Sequence, residues 1–125
     1  MTDLKLLSPA TLGALKLPNR MIIEPRIQGN VTIAETGKGL GGRFFRSIFQ
    51  GSIVSAGGYT CEMGETVLQE NSADFVAYGR LFLANPDLPK RFALDATLNR
   101  YDRNTFYSSG EQGYTDYPGI EALCP

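Results

Sequence analysis

Two short stretches carry the residues best suited to grip an anion. Gly57-Gly58 and Gly79-Arg80 each close an apolar run that reads as a strand, over 52–55 and 73–78 respectively. Glycine lets backbone N–H groups come close to a phosphate, and the Arg80 guanidinium can fork two donors onto its oxygens. If the two strands are parallel, both stretches lie at carboxyl ends. That is where ligands of parallel α/β folds gather, and in a βα barrel the loops after strands 7 and 8 form a recurring phosphate site. Spacing alone leaves open a second reading, two ordinary glycine turns and a surface arginine.

A second glycine cluster, Gly37-Lys38-Gly39-Leu40-Gly41-Gly42, matches G-x-G-x-x-G through Gly37, Gly39 and Gly42. A dinucleotide fingerprint needs a strand directly before it and an acidic residue about 20 positions on. Val31-Thr32-Ile33 could serve as that strand, and Glu62 falls near the right distance. Glu62 would, however, stand inside a helix rather than at a strand end, so the glycines read better as a linker. Other chemistry is excluded by absence. The chain has no histidine and two cysteines, Cys61 and Cys124. This leaves no Ser-His or Cys-His pair and no basis for a zinc centre, so no metal site is expected.

The elements that must hold these residues follow from the pattern. Leu12-Gly13-Ala14-Leu15 bends between apolar stretches as a hairpin, and Pro18-Asn19 breaks before a strand at Met21-Ile22-Ile23. Leu40, Phe44 and Ile48 share one helical face, which predicts a helix over about 40–49. Thr60 is a natural N-cap for a helix reaching Glu70, with Glu62 and Glu65 near the positive end of its dipole. Met63, Gly64, Val67 and Leu68 give that helix its inward side. Strand, helix and strand over 52–78 form a βαβ crossover, whose strands should be parallel. Asn85-Pro86 opens a further short helix carrying Leu88 and Phe92, with Asn85 as cap. From Asn99 onward the chain reads as an ordered tail.

The 125 residues suffice for about one domain; 42% are hydrophobic and 20% charged, enough to build a core. A formal charge of -1 gives no reason to expect nucleic acid or an anionic membrane as partner. Each apolar run falls short of the roughly 18 residues that a membrane span needs. The N-terminus lacks the pattern of a secretory signal, and two cysteines suit a reducing, cytoplasmic setting.

Longer motifs carry a family resemblance. The stretch 55–60 and the run from Ala73-Asp74 through Gly79-Arg80 to Asn85-Pro86-Asp87-Leu88-Pro89 resemble the last quarter of the old yellow enzyme family. These are FMN-dependent ene-reductases that include the 12-oxophytodienoate reductases. Leu98-Asn99-Arg100-Tyr101-Asp102-Arg103, Thr105-Phe106-Tyr107 and Gly113-Tyr114-Thr115-Asp116-Tyr117-Pro118 resemble its closing motifs. Ile23-Glu24-Pro25-Arg26 resembles a stretch ahead of its strand 7, and 7–21 resembles its opening hairpin and first strand.

The resemblance implies an α/β fold: a partial (β/α)₈ barrel keeping the hairpin, strand 1 and the strand 7–8 end, with strands 2 to 6 missing. A complete barrel typically takes about 250 residues. The 125 residues would form one unit, with 1–23 as hairpin and first strand, 24–98 as the C-terminal barrel part and 99–125 as tail. Its unpaired strand edges imply an oligomeric, aggregated or molten protein. The cofactors implied are FMN and, as reductant, NAD(P)H, with an enone as substrate of the full enzyme. Gly57, Gly58, Gly79 and Arg80 match phosphate contacts, and Pro25 falls where a proline at the flavin edge stands. Arg26-Ile27 replace the Leu and Thr expected after that proline. Phe106 and Tyr107 match residues beside the flavin, although a buried anchor for the tail accounts for them equally well. The family's substrate-binding His pair and proton-donating Tyr have no counterpart, and no catalytic residue is assigned.

Overall fold

The computed structural model describes residues 3–23 and 42–123. After a 3₁₀ turn at Lys5–Leu7 come β1 (Ala10–Leu12), β2 (Leu15–Leu17) and β3 (Met21–Ile23). Helix α1 (Gly42–Arg46) and β4 (Val54–Ala56) precede α2 (Cys61–Gln69) and β5 (Phe75–Tyr78). Two short helices, α3 (Arg80–Ala84) and α4 (Leu88–Ala93), lead into a tail with 3₁₀ turns at Arg103–Thr105 and Ile120–Leu123. β1 and β2 pair antiparallel, with Ala10 opposite Leu17. The turn between them places Gly13 at φ +59, a conformation glycine adopts without the penalty a Cβ imposes.

β3, β5 and β4 form one parallel sheet in that order. β5 is therefore central, and all four of its residues are buried. A strand covered on both faces reads as a continuous apolar run, as Phe75-Val76-Ala77-Tyr78 does. The crossover from β4 to β5 runs through α2. Thr60 caps that helix, its Oγ1 accepting from the Met63 N–H at 3.1 Å. Gly64 and Leu68 are the buried positions of α2. Leu68 joins Leu6, Met21, Val76, Tyr78 and Phe92 in the main core. Burial of each large apolar side chain contributes about 1.5–3 kcal/mol.

Polar clamps fix the elements around this core. The Glu65 carboxylate on α2 accepts from the backbone N–H groups of Lys5 and Leu6 at 2.7 and 3.0 Å, which docks the N-terminal turn. Asp74, just before β5, accepts from Arg46 at 2.6 Å and from the Ile53 N–H at 2.8 Å. Arg91 of α4 is 1% exposed. It donates to Asp87 at 2.8 Å, to the Thr97 carbonyl at 2.5 Å and to the Pro118 carbonyl at 3.0 Å. Asn85, fully buried, accepts from the Asn99 N–H at 2.7 Å. The tail is thereby tied to α3 and α4.

Several sequence expectations shift. The helix expected over 40–49 appears as α1, ending at Arg46, and Phe44 and Ile48 are exposed rather than inward. The strand expected over 52–55 is β4, displaced to Val54–Ala56 because Ile53 instead pairs its backbone with Asp74 and Phe75. Met63 is 50% exposed, so the inward side of α2 is narrower than its apolar spacing suggests. Asn85 closes α3 and binds the tail instead of capping α4, whose N-cap is Asp87.

Candidate functional site

The carboxyl ends of β4 and β5 open into a cleft of ≈ 190 Å³ lined by Gly57, Gly58, Tyr59, Thr60, Gly79, Arg80 and Tyr101, among others. All four residues singled out as anion contacts therefore share one concavity. Gly57 and Gly58 stand at φ +113 and +71, where an L side chain is strained. A Cβ on Gly58 would sit 3.7 Å from Arg80 Nη2, in the space between the loop and the guanidinium. Gly79 ends β5 and caps α3, accepting from the Leu83 N–H at 2.9 Å. Arg80 is half-buried, and its Nη1 lies 3.5 Å from the Tyr101 hydroxyl. Among the described residues, no carboxylate forms a salt bridge with it.

Tyr101 is a cleft residue from the distant tail that sequence reasoning missed. It reaches the strand ends because Asn99 and Tyr117 fasten the tail on either side of it. The Asn99 side chain donates to the carbonyls of Ala84 and Pro118, and the Tyr117 hydroxyl accepts from the Asp102 N–H. This long-range fastening has no local sequence signal. Phe106 is 1% exposed and packs against Tyr101 at 5.6 Å between centroids. Tyr107 is 73% exposed, and neither Phe106 nor Tyr107 lines the cleft. Pro25 lies outside the described residues, as does most of the 37–42 glycine cluster. Its last member, Gly42, begins α1, and a Cβ there would meet the Ser72 carbonyl oxygen at 2.3 Å.

Tyr78 is buried and donates to the Thr60 carbonyl at 3.1 Å. Burial pushes its phenol well above the ordinary value, with Cys61, Glu65 and Tyr59 adding to the rise. Burial also raises the Cys61 thiol, helped by Glu65 and Asp95, so a thiolate nucleophile is disfavoured there. Among the described residues no cluster of His, Cys, Asp or Glu could hold a metal ion. The cleft is lined by glycine backbone and one guanidinium, residue types suited to an anion.

Residues 21–99 match the NADH:flavin oxidoreductase / NADH oxidase family. The chain belongs to that family. The family resemblance read from 55–60 and 73–89 is thus borne out, and the family's flavin and nicotinamide chemistry accords with the cofactors it implied. Relatives include 12-oxophytodienoate reductase 1 of Oryza sativa subsp. japonica, 53% identical over 82% of this chain and 27% of its own length. 12-Oxophytodienoate reductase 2 of Arabidopsis thaliana is 51% identical over 81% of this chain and 27% of its own. Among solved structures, morphinone reductase in complex with tetrahydroNAD superposes with a TM-score of 0.61 at 44% identity, covering 67% of this chain and 23% of that one. The old yellow enzyme from Trypanosoma cruzi gives 0.65 at 32% identity, covering 69% and 23%. The chain spans about a quarter of the length of these relatives. Among its described residues, no helix is long and apolar enough to cross a membrane.

Proposed function

We propose that this chain is the phosphate-binding end of an FMN-dependent, NAD(P)H-using ene-reductase barrel. On this reading β3, β4 and β5 stand for strands 1, 7 and 8 of the family barrel, and the 125 residues form one unit. The sheet order β3–β5–β4 supports the assignment, since closure of a barrel lays its first strand beside its last. The observation that carries the function is the meeting of Gly57, Gly58, Gly79 and Arg80 in one cleft at the carboxyl strand ends.

The donor set suits a phosphate monoester: two glycines in positive-φ geometry and a guanidinium across from them. FMN, when bound in a complete family member, supplies hydride transfer between the nicotinamide and an enone. Pockets for ligands of that size take about 300–1,000 Å³. At ≈ 190 Å³ this cleft holds the phosphate and the adjoining chain but not the ring. Phe106 supports the site from behind Tyr101, while Tyr107 and Pro25 keep the flavin-side roles their motifs imply. A cytoplasmic setting belongs to the same reading, since Cys61 and Cys124 are too few for a disulfide framework.

The test is titration of the chain with FMN and with riboflavin, which lacks the phosphate, followed by NMR. FMN should bind with a Kd in the high micromolar range, about −5 to −6 kcal/mol. Riboflavin should bind far more weakly. Equal affinity for both would refute the phosphate assignment, and selective binding of NAD would favour a dinucleotide site instead.

A further inference from the structure

We infer that Tyr101 is a positioning residue that aims the Arg80 guanidinium across the Gly57–Gly58 loop; this rests on the phosphate reading of the cleft. Arg80 Cζ lies 5.4 Å from the centroid of the Tyr101 ring, within the range of a cation–π contact. The hydroxyl adds a long hydrogen bond at 3.5 Å. Arginine left to itself is a long side chain that loses much rotamer freedom when it binds. A guanidinium held over an aromatic face keeps its N–H groups, which lie in its own plane, free to fork onto phosphate oxygens. No buried side-chain nitrogen or oxygen among the described residues lacks a partner, so the remaining Arg80 donors open to the cleft or to solvent.

The ring is itself held from behind. Phe106 packs on Tyr101, and the Tyr114 hydroxyl donates to the Phe106 carbonyl oxygen. Phe106 therefore reaches the cleft through Tyr101, one layer removed. Arg103 sits 5.8 Å from the same ring centroid, so the ring gathers two cations. The Gly58 backbone also comes close to Arg80, near enough that a Cβ would fall at 3.7 Å from Nη2. The guanidinium thus lies near both an aromatic ring and a glycine loop.

The experiment compares Tyr101→Phe, Tyr101→Leu, Arg80→Ala and the Tyr101→Leu/Arg80→Ala double variant, each titrated with FMN and riboflavin by NMR. Tyr101→Leu should raise the FMN Kd about three- to tenfold and leave riboflavin unchanged, while Tyr101→Phe, which keeps the ring, should stay within about twofold. On the Arg80→Ala background, Tyr101→Leu should add nothing, because the group it aims is gone. If Tyr101→Leu weakens FMN and riboflavin alike, or weakens FMN equally with and without Arg80, the residue acts through the fold and the inference falls. If Arg80→Ala weakens FMN but Tyr101→Leu does not, the inference falls while the phosphate site stands. If Arg80→Ala leaves FMN binding unchanged, the phosphate reading falls with it. Should Tyr101→Leu fail to fold, Arg80→Lys supplies the same test. Lysine keeps the charge without the planar fork, and should lose FMN affinity about as Tyr101→Leu would; full FMN affinity in Arg80→Lys would overturn the inference.

Discussion

At the scale of single residues, the tightest constraint is the approach of α2 to β5. A Cβ at Gly64 would stand 2.1 Å from the Tyr78 hydroxyl oxygen and 3.4 Å from Leu6 Cδ1. Tyr78 is 2% exposed and already committed to the Thr60 carbonyl, so it has nowhere to go. Gly64→Ala should therefore destabilise the fold by about 1–3 kcal/mol through overpacking. It should do so although alanine favours a helix over glycine by about 1 kcal/mol. A urea midpoint equal to or above that of the parent chain would show that the ring yields. Asp74 makes a second prediction. Burial alone would raise its carboxyl, but the Arg46 hydrogen bond, the Ile53 N–H and the charges of Arg46 and Arg20 outweigh this and hold it below its ordinary value. Asp87 is likewise held low: burial opposes ionisation, and the Ile120 N–H and Arg91 overcome it. A depressed carboxylate stabilises the fold in full above its unfolded value, about 3.9, and that contribution is lost as pH falls through the lower folded value. The melting temperature should thus be flat from about pH 7 to 5 and fall below about pH 4. Asp74→Asn should melt lower at neutral pH, and its gap to the parent should close in acid. A gap that persists unchanged at about pH 2 would detach Asp74 from the acid transition.

At the scale of elements, α2 is the member that docks the N-terminal turn. Its Glu65 accepts both N–H groups of the Lys5–Leu6 turn, and Gln69 donates to the same carboxylate at 3.0 Å. Hydrogen bonds to a charged group contribute about 1.5–3 kcal/mol each when the partner is left bare. Glu65→Ala should release the N-terminal turn, with hydrogen exchange at the Lys5 and Leu6 amides speeding up well ahead of exchange in β5. Unchanged protection at those amides would mean that Leu6 burial alone docks the turn. The same helix shows what was legible in the sequence. Thr60 as cap, a helix expected to reach Glu70 and ending at Gln69, and a parallel crossover to a strand expected over 73–78 and found over 75–78 follow from capping chemistry and apolar runs, which are local. So does the hairpin around Gly13. The helix over 80–84 was missed, because Gly79-Arg80 reads as the close of a strand and the helix is five residues long. The edge of β4 differs from the expectation for a non-local reason, since Asp74, which holds Ile53, stands just before β5 at the far end of the crossover. Of the cleft, Gly57, Gly58, Gly79 and Arg80 were legible as strand-end donors. Tyr101 was not, because Asn99 and Tyr117 bring it there through contacts that no local pattern announces.

At the scale of the whole molecule, the parallel sheet has three strands, and its outer members β3 and β4 each pair on one side among the described residues. Phe44, Phe45, Ile48, Phe49 and Val54 are 43–70% exposed. Open strand edges and exposed apolar side chains favour association. Sedimentation velocity should therefore find species larger than a single chain, and a sharp monomer with a cooperative thermal transition would oppose this. Turnover should be absent for a separate reason. Binding a phosphate is uniform along the reaction and does not lower its barrier. General acid catalysis is typically worth about 10²–10⁴-fold, and one donor to a developing oxyanion about 10²–10³-fold. The chain has no histidine to polarise an enone carbonyl, and its buried Tyr78 phenol is committed to Thr60. With excess FMN and NADPH under anaerobic conditions, cyclohexenone reduction should not exceed that of free flavin. Product that depends on the protein and is lost on heating would show a working site. The sheet order also sets a timetable on the ribosome. β5 pairs with β4 across a short crossover, Val54 opposite Phe75, but it pairs with β3 through Met21 opposite Val76. At about 5–20 residues per second, β3 waits roughly 3–11 s after its synthesis before its partner exists. For that interval the apolar Met21 and Ile22 lack their β5 partners, which makes this strand one of the stretches of the emerging chain that a chaperone has time to meet.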